Sequence, residues 1–299
     1  STNEAVDSTG SVAHGIPFPT PPQATSVTKD KLAYIADKVQ SQTTSFNTNR
    51  VCLVPNGYIV TLDQTNTLVR LLNMQLDELD QCNVYGPNSS IHCVSERQVV
   101  LSSRNQTYDK DELIFLFLYV SQNHITFTRR VQLDNALKVY DWVKYMTVFC
   151  DKLYVGSSTG IHIFSLDLDL VRSVFKGGDV AHGAINLNRG DITYDRMYVA
   201  GTYANSLITL DRDGRIVNTL KEPGLGIIHD IVVADNETVF VCGSESIIQV
   251  DRDGGRTIST IATEAGGIKG ALQMSYNRAT SELIVLLSDT QLMSVKVKN

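Results

Sequence analysis

Short apolar runs, separated by turn-forming residues, make up most of the chain from about residue 27 onwards. Apolar and polar positions alternate within these runs, which is typical of β-strands, and no stretch keeps the 3.6-residue apolar period of an amphipathic helix. The longest apolar run, Leu113–Val120, has the length of a strand and is far shorter than the roughly 20 residues that span a bilayer. The pattern therefore predicts an all-β protein with little α-helix.

The runs recur as one repeated unit. In each unit a strand ends in small residues, a second strand runs into an acidic turn, and another strand follows the turn. The clearest strands that end in small residues are Leu153–Ser157, Met197–Gly201 and Val239–Gly243. The strands that run into acidic turns are Ile161–Asp167, Ser206–Gly214 and Ile247–Gly254. Asp-Gly between two alternating apolar runs is a strong hairpin signal, so these strands are predicted to pair.

One strand valine recurs at the same position of every repeat unit, and we call it the ruler valine. It recurs at intervals of 40 to 55 residues, at Val60, Val100, Val155, Val199, Val241 and Val285. Extra residues at Arg104–Asp111 explain the longest interval. An earlier strand precedes each valine, at Val51–Val54, Ile91–Val94, Val143–Phe149, Ala184–Tyr194, Ile227–Val233 and Ala271–Tyr276. Six units of four short antiparallel strands predict a six-bladed β-propeller.

The ring of blades must close, because one blade cannot bury both of its faces alone. The last unit lacks a fourth strand, and we expect the N-terminal run Lys31–Val39 to supply it. The expected blades are residues 45–85, 86–135, 136–177, 178–223, 224–264 and 265–299 together with 27–42. Residues 1–26 are rich in Pro and Ser and are expected to form a tail or linker.

Two segments, Met197–Gly214 and Val239–Gly254, carry a family resemblance, and Val54–Asp63 looks like a first-blade version of them. They resemble the NHL repeats of the six-bladed propellers found at the C-termini of tripartite-motif (TRIM) proteins, most of all the TRIM-like sets of molluscs and related invertebrates. The resemblance covers about residues 27–299. It implies a partner-binding domain downstream of RING, B-box and coiled-coil segments. Since the Cys and His clusters of RING and B-box zinc sites are missing here, ubiquitin-ligase activity would belong to another part of the parent chain.

The charge balance argues against a broad phosphate-binding face. The chain has 26 basic and 32 acidic residues, a formal net charge of −6, and no basic cluster larger than Arg129-Arg130. RNA binding, which some NHL domains would suggest, is therefore kept only as a second alternative. The five cysteines do not form a disulfide framework and are expected to be free thiols in the cytoplasm. Sequons at Asn88, Asn105 and Asn236 leave a secreted form open.

Catalytic chemistry has little support in the sequence. There is no Gly-x-Ser-x-Gly elbow and no phosphate-binding loop, and Asp211–Gly214 and Asp251–Gly254 are interpreted as hairpin turns, not calcium loops. His92, His182 and His229 come from different blades and are the residues that a central zinc would need. A metal-dependent propeller enzyme of lactonase, esterase or lyase type, with central calcium or zinc, is therefore the first alternative. We assign no catalytic residue, metal or cofactor.

The leading hypothesis is a non-catalytic protein-interaction module, a monomeric propeller domain that binds a partner protein or peptide on a rim of its channel. The entrances to the six first strands form this rim, and an exposed Trp and Tyr beside an acid would make a good binding hot spot. The alternative that Trp142 packs between blades stays open. The candidate rim residues are His92, Tyr140, Asp141, Trp142, Asn186, His229, Asp230 and Gln273.

Overall fold

The computed structural model describes residues 35–63, 65, 67–84, 88–107, 110–133, 143–176, 179–186, 195–201, 203–234, 237–288 and 291–298. These residues form 24 β-strands and a 3-10 turn at Glu264–Gly266, with no α-helix among them. The strands lie in six antiparallel sheets of four strands each, which are the blades of a propeller. The predicted all-β, six-bladed fold is confirmed. Within the same residues, none of the helical segments has the length and apolar character needed to cross a bilayer.

The first strand of each blade lies beside the central channel and contacts the first strands of both neighbouring blades, so that these six strands form a complete ring. They are β2 (Thr48–Val54), β6 (Asn88–Ser95), β10 (Tyr145–Phe149), β14 (His182–Asn186), β18 (Ile228–Val233) and β22 (Gln273–Asn277). The second strands are β3 (Tyr58–Asp63), β7 (Gln98–Thr107), β11 (Lys152–Ser157), β15 (Arg196–Ala200), β19 (Val239–Gly243) and β23 (Glu282–Ser288).

The third and fourth strands of each blade follow outwards from the channel. The third strands are β4 (Leu68–Leu72), β8 (Lys110–Ser121), β12 (Gly160–Ser165), β16 (Ser206–Leu210), β20 (Ser246–Val250) and β24 (Gln291–Lys298). The fourth strands are β5 (Glu78–Asn83), β9 (His124–Leu133), β13 (Leu170–Val174), β17 (Ile216–Lys221) and β21 (Thr257–Thr263), with β1 (Ile35–Thr43) in blade 6. Blades 1 to 6 are numbered here in the order of their first strands.

The ring closes through the N-terminal strand, as predicted. Strand β1 pairs antiparallel with β24, from Ile35 opposite Lys298 to Thr43 opposite Gln291, and completes blade 6. The described strand continues to Thr43, beyond the predicted Lys31–Val39, and residues 31–34 lie outside the described part of the chain. The predicted tail, residues 1–26, lies outside it too.

Apolar cores fill the spaces between blades. The buried side chains form six clusters among the described residues, and each cluster joins two neighbouring blades. The cluster between blades 6 and 1 contains Val51 and Ile59 from one blade and Ile284, Leu286 and Leu292 from the other. Since this last interface has an apolar core like the others, burial of each blade depends on an unbroken ring.

The acidic turns close the hairpins between third and fourth strands. In the β16–β17 turn the Asp211 carboxylate accepts hydrogen bonds from the backbone N–H groups of Asp213 and Arg215, and Gly214 has a φ of 82°. The Asp251 carboxylate accepts from Gly255 and Arg256 in the same way. These acids therefore serve as turn residues, with backbone N–H groups as their partners.

Most of the extra residues Arg104–Asp111 lengthen strands β7 and β8, which pair as far as Thr107 and Lys110. One strand prediction needs adjustment. The first strand of blade 4 was expected at Ala184–Tyr194, but the described strand is His182–Asn186. Its start is two residues earlier, because Ala181 and His182 already pair with the small-residue end of β15 at Ala200.

Removal of the closing strand should destabilise the whole ring. Deletion of residues 1–42 removes nearly all of β1 and leaves β24, which carries the buried Met293, Val295 and Val297, as an unpaired edge strand. We expect a lower and broader thermal transition, with the midpoint reduced by roughly 10 °C, since about 1 kcal/mol shifts the midpoint of a domain of this size by about 2–4 °C. Deletion of residues 1–30, which leaves β1 intact, is the matched control. Equal melting curves for the two truncations would contradict closure by β1.

Candidate functional site

A cavity of about 820 Å³ occupies the channel inside the ring of first strands. Its lining runs from the middle of these strands to the turns that follow them, where Pro55, Glu96 and Arg278 are exposed. We call the end of the ring at which the first strands begin the entrance face, and the opposite end the exit face. The described cavity thus extends towards the exit face.

Side chains on the first strands bind the backbone of the next blade. Asp230 Oδ2 accepts a hydrogen bond of 2.8 Å from Met274 N, which links blade 5 to blade 6. Gln273 Oε1 accepts one of 2.8 Å from Val51 N, which links blade 6 to blade 1. A first strand is the edge of its sheet, so its channel-side N–H groups have no strand partner. These polar side chains supply the missing acceptors.

His92 makes the corresponding link from blade 2 to blade 3. Its Nε2 lies 3.2 Å from Met146 N, which donates to it, and 3.0 Å from Ser90 Oγ. The ring meets Tyr145 edge-on, with centroids 5.6 Å apart and an interplanar angle of 84°. Burial, together with the charge of Arg50, lowers the pKa of His92 to about 3. The imidazole is therefore neutral at pH 7, as an acceptor for a backbone N–H must be.

Tyr145 lies between blades 3 and 4 and is 5% exposed. A Cβ added at Gly183 would lie 3.0 Å from Tyr145 Cε1, and one at Gly156 would lie 3.2 Å from its Cδ1, so the two glycines leave room for the ring. Its hydroxyl is buried and has no hydrogen-bond partner among the described residues. Thr147 is near enough to lower the pKa of Tyr145, although no hydrogen bond of normal geometry joins the two and burial raises that pKa overall.

Asp230 is the most perturbed acid of the channel. Burial raises its pKa to about 7, although its hydrogen bonds to Met274 and Ile231 and the charge of Arg50 act in the opposite direction. Burial lowers the pKa of Arg50, and the Asp230 charge raises it. Burial, His229 and Arg50 lower the pKa of His182 to about 4. One buried cation therefore acts on the histidines and the carboxyl of several blades.

The structure brings together three of the eight candidate rim residues. His92, Asp230 and Gln273 line the cavity. His229 is half-buried at the start of β18, and burial lowers its pKa. Asn186 ends strand β14, at the exit end of that strand and not at the entrance where it was expected, and its side chain lies outside the description. Tyr140, Asp141 and Trp142 lie outside the described residues, so their role stays a prediction.

The register of the sheets identifies Tyr145 as the residue of blade 3 that corresponds to Asp230. Tyr145 pairs with Gly156, one residue after the ruler Val155, and Asp230 pairs with Cys242, one residue after the ruler Val241. His182 and Gln273 occupy the same level in blades 4 and 6. The candidates preferred from this blade, Tyr140, Asp141 and Trp142, precede β10 and lie outside the described residues. An alignment of first strands on the ruler valines would have found the four polar residues.

Metal ligands do not cluster in the described part of the chain. No group of three or more His, Cys, Asp or Glu side chains is arranged there to hold an ion. His92 is instead bound to Met146 N and Ser90, and Asp230 to two backbone N–H groups. All five cysteines are free thiols, with Cys52 and Cys242 buried and the other three half-buried.

The entrance face carries exposed apolar side chains that the sequence analysis missed. Tyr203, between β15 and β16, is 82% exposed and has a φ of 59°, a left-handed conformation that is uncommon for an aromatic residue. Ile227 and Leu272, directly before β18 and β22, are 38% and 39% exposed. In the sequence such residues cannot be told from the core residues that follow them, because only the sheet register shows where a strand begins.

Backbone hydrogen bonds connect the loops that carry these residues. Ile228 N donates to Ala204 O beside Tyr203, and Ser244 N donates to Ile227 O. Glu264 N donates to Glu245 O. The Glu264 carboxylate also forms a salt bridge of 2.9 Å with Lys269 Nζ, three residues before Leu272. We call Tyr203, Ile227 and Leu272 the entrance patch. It extends over blades 4 to 6 on a framework of hydrogen-bonded loops.

No family model matches the chain, and no curated protein matches it. Solved structures do match the chain. A luciferin-regenerating enzyme is 11% identical, with a TM-score of 0.62 over 87% of this chain and 95% of the other. The WD40 repeats of RRP9 are 8% identical, with a TM-score of 0.59 over 89% and 99%. A chain of the mitotic checkpoint complex is 11% identical, with a TM-score of 0.60 over 97% and 99%. Identities this low show the propeller fold alone, which enzymes and WD40 proteins share.

The raised pKa of Asp230 predicts a specific pH dependence of stability. Asp230→Asn keeps an acceptor for Met274 N but cannot ionise. The folded wild type holds its proton up to a pKa of about 7, whereas an unfolded Asp loses it near 3.8. The stability of the wild type relative to the variant should therefore fall as the pH rises from about 4 to 7, by at most about 1.4 kcal/mol per pH unit, and level off above 7.

Melting temperatures of both proteins between pH 4.5 and 8.5 test this expectation, since the titration of other groups cancels in the difference. Asp213→Asn, on an exposed turn, is the control for loss of a carboxylate. A difference that stays constant, or that grows in favour of the wild type as the pH rises, would show that Asp230 is ionised throughout this range.

Proposed function

We propose that this propeller is a non-catalytic protein-interaction module whose entrance face binds a partner protein. The entrance patch carries the proposal, because it places a fully protruding Tyr and two exposed aliphatic side chains on one face. Aromatic and aliphatic side chains exposed together on a rigid surface are characteristic of interaction sites. The predicted rim residues Tyr140, Asp141 and Trp142 would enter the same face from the connection before β10.

The finer assignment is to an NHL-type propeller of a TRIM-like protein of the cytoplasm. It is supported by Met197–Gly214 and Val239–Gly254, which form the second and third strands of blades 4 and 5 followed by equivalent Asp-Arg-Asp-Gly turns. On this proposal the domain selects a partner for the upstream segments of a longer chain. The WD40 repeats and the checkpoint-complex chain that share its fold are distant precedents for the architecture.

Loss of the entrance patch should abolish partner capture. The test variant is Tyr203→Ser with Ile227→Ser and Leu272→Ser, which replaces exposed apolar groups and so should leave the cores unchanged. We expect partners enriched by the wild-type domain in affinity purification with quantitative mass spectrometry to fall at least about tenfold, because loss of hot-spot residues costs about 2 kcal/mol or more each.

The matched control is Phe127→Ser with Leu170→Ser and Ile216→Ser, three exposed apolar residues on the outer strands β9, β13 and β17. It removes as many exposed apolar groups and should retain the partners. Circular dichroism should show both variants folded. Partners that remain with the test variant and are lost with the control would place the interaction surface on the outside of the ring and overturn the proposal.

A further inference from the structure

The channel cavity has the size and lining of a small-molecule site. Its volume of about 820 Å³ falls within the roughly 300–1,000 Å³ of cavities that bind small ligands. It extends to the exit face and is therefore distinct from the entrance patch. Such sites combine apolar walls with a few converging polar groups. Here the lining is somewhat more polar than apolar, with apolar side chains beside polar ones along the cavity.

Apolar and polar side chains share the walls towards the exit face. Val94, Val148, Phe149 and Val233 line the cavity there and are half-buried, and each also packs against an apolar cluster between blades. Tyr276 also lines it and packs on Phe240 of blade 5, with ring centroids 6.2 Å apart. A flat aromatic or short aliphatic body would cover this surface.

The inner end of the cavity is polar. Tyr145, Asp230 and Gln273 share one register level there, and His92 lies one level further in the exit direction. The Asp230 charge also raises the pKa of Tyr145. Because Gln273 Oε1 accepts from Val51 N, its amide nitrogen is left to donate. The set thus offers donors from Gln273 and Tyr145 and an acceptor from Tyr145, while Asp230 donates when protonated and accepts when ionised.

One of these polar groups, the Tyr145 hydroxyl, lacks the well-formed hydrogen bond that a buried polar group normally makes. The Tyr145 side chain is 95% covered, and its hydroxyl has no hydrogen bond of normal geometry among the described residues, with Thr147 as the one side chain that acts on its pKa as a hydrogen-bond partner. Buried polar atoms without a partner are few in folded proteins and call for a ligand, an ion or a water. A head group at the inner end of the cavity would supply that partner.

The charged and ionisable groups near the inner end of the cavity determine which kind of ligand head group is favoured there. The Arg50 cation acts on His92, His182 and Asp230, so that the inner end already holds both a cation and an ionisable carboxyl. Because a charged ligand would have to give up its hydration to enter beside these buried groups, a neutral group that both donates and accepts is favoured. A primary carboxamide has two donors and one acceptor oxygen, which complements Asp230, Tyr145 and Gln273.

We propose that the channel cavity binds a neutral amphipathic small molecule, with its amide or hydroxyl head group against Tyr145, Asp230 and Gln273 and its apolar body against Val94 and Val148. This site is a binding function additional to partner docking on the entrance face. It does not depend on that function, since the two surfaces share no residue.

Binding of benzamide and 4-hydroxybenzamide to the intact chain tests the proposal, with benzoate and benzylamine as charged analogues of the same size. Saturation-transfer NMR titrations should give millimolar dissociation constants for the two neutral probes, as is usual for ligands of about ten non-hydrogen atoms. The charged analogues should bind at least fivefold more weakly.

Two variants locate the probe. Tyr145→Phe removes only the hydroxyl and should weaken benzamide at least fivefold, whereas Tyr203→Phe makes the same chemical change on the entrance face and should have no effect. Val148→Trp fills the space beside the wall and should abolish binding. Melting temperatures of all variants confirm that each is folded.

Three results would overturn the site. The first is no saturable binding of the neutral probes to the wild type, which would leave water as the partner of Tyr145. The second is equal affinity of the wild type, Tyr145→Phe and Val148→Trp proteins, which would place the probe elsewhere. The third is tighter binding of either charged analogue than of benzamide. None of these results bears on partner capture by the entrance patch.

Discussion

The pairing of β1 with β24 is the interaction on which the rest of the structure depends. Every blade buries its apolar faces against its two neighbours, and the cluster between blades 6 and 1 is the interface at which the two ends of the ring meet. Without β1, β24 would become an unpaired edge strand, and blade 6 would lose the contact of β1 with β21 of blade 5. Since a single blade has no core of its own, the burial of all six sheets depends on this one strand pairing.

Closure of the ring creates a second requirement at its centre. Six first strands turn a free edge towards the channel, and their N–H groups need acceptors that no strand supplies. Asp230, Gln273 and His92 meet part of this need by binding the backbone of the following blade. The polar character of the channel is therefore structural in part, and burial of these same groups is what moves the pKa values of Asp230 and His92 so far from their ordinary range.

The repeat made the architecture predictable, including its closure by an N-terminal strand, because each unit repeats the same alternation and the same Asp-Gly turns. The candidate site was predicted less well. Asp230, Gln273 and His92 were found from their place in first strands. Tyr145 lay inside the predicted strand Val143–Phe149 but was missed, because only the sheet register shows that it lies at the level of Asp230. Arg50 acts on residues more than 40 positions away, and such proximity follows only from the closed ring. The exposure of Tyr203 depends on a left-handed backbone conformation that no local sequence pattern predicted.

The hydrogen bonds that link neighbouring first strands in the channel also help to fix the entrance face. Leu272 of the entrance patch directly precedes Gln273, whose side chain is fixed to Val51, and Ile227 lies three residues before Asp230, which is fixed to Met274. The loop of Tyr203 is held by the hydrogen bond from Ile228 to Ala204. A surface whose loops are held in this way loses little conformational entropy on binding, so more of the apolar contact is available as affinity. The hydrogen bonds that satisfy the inner strands thus also preorganise the face on which we place the partner.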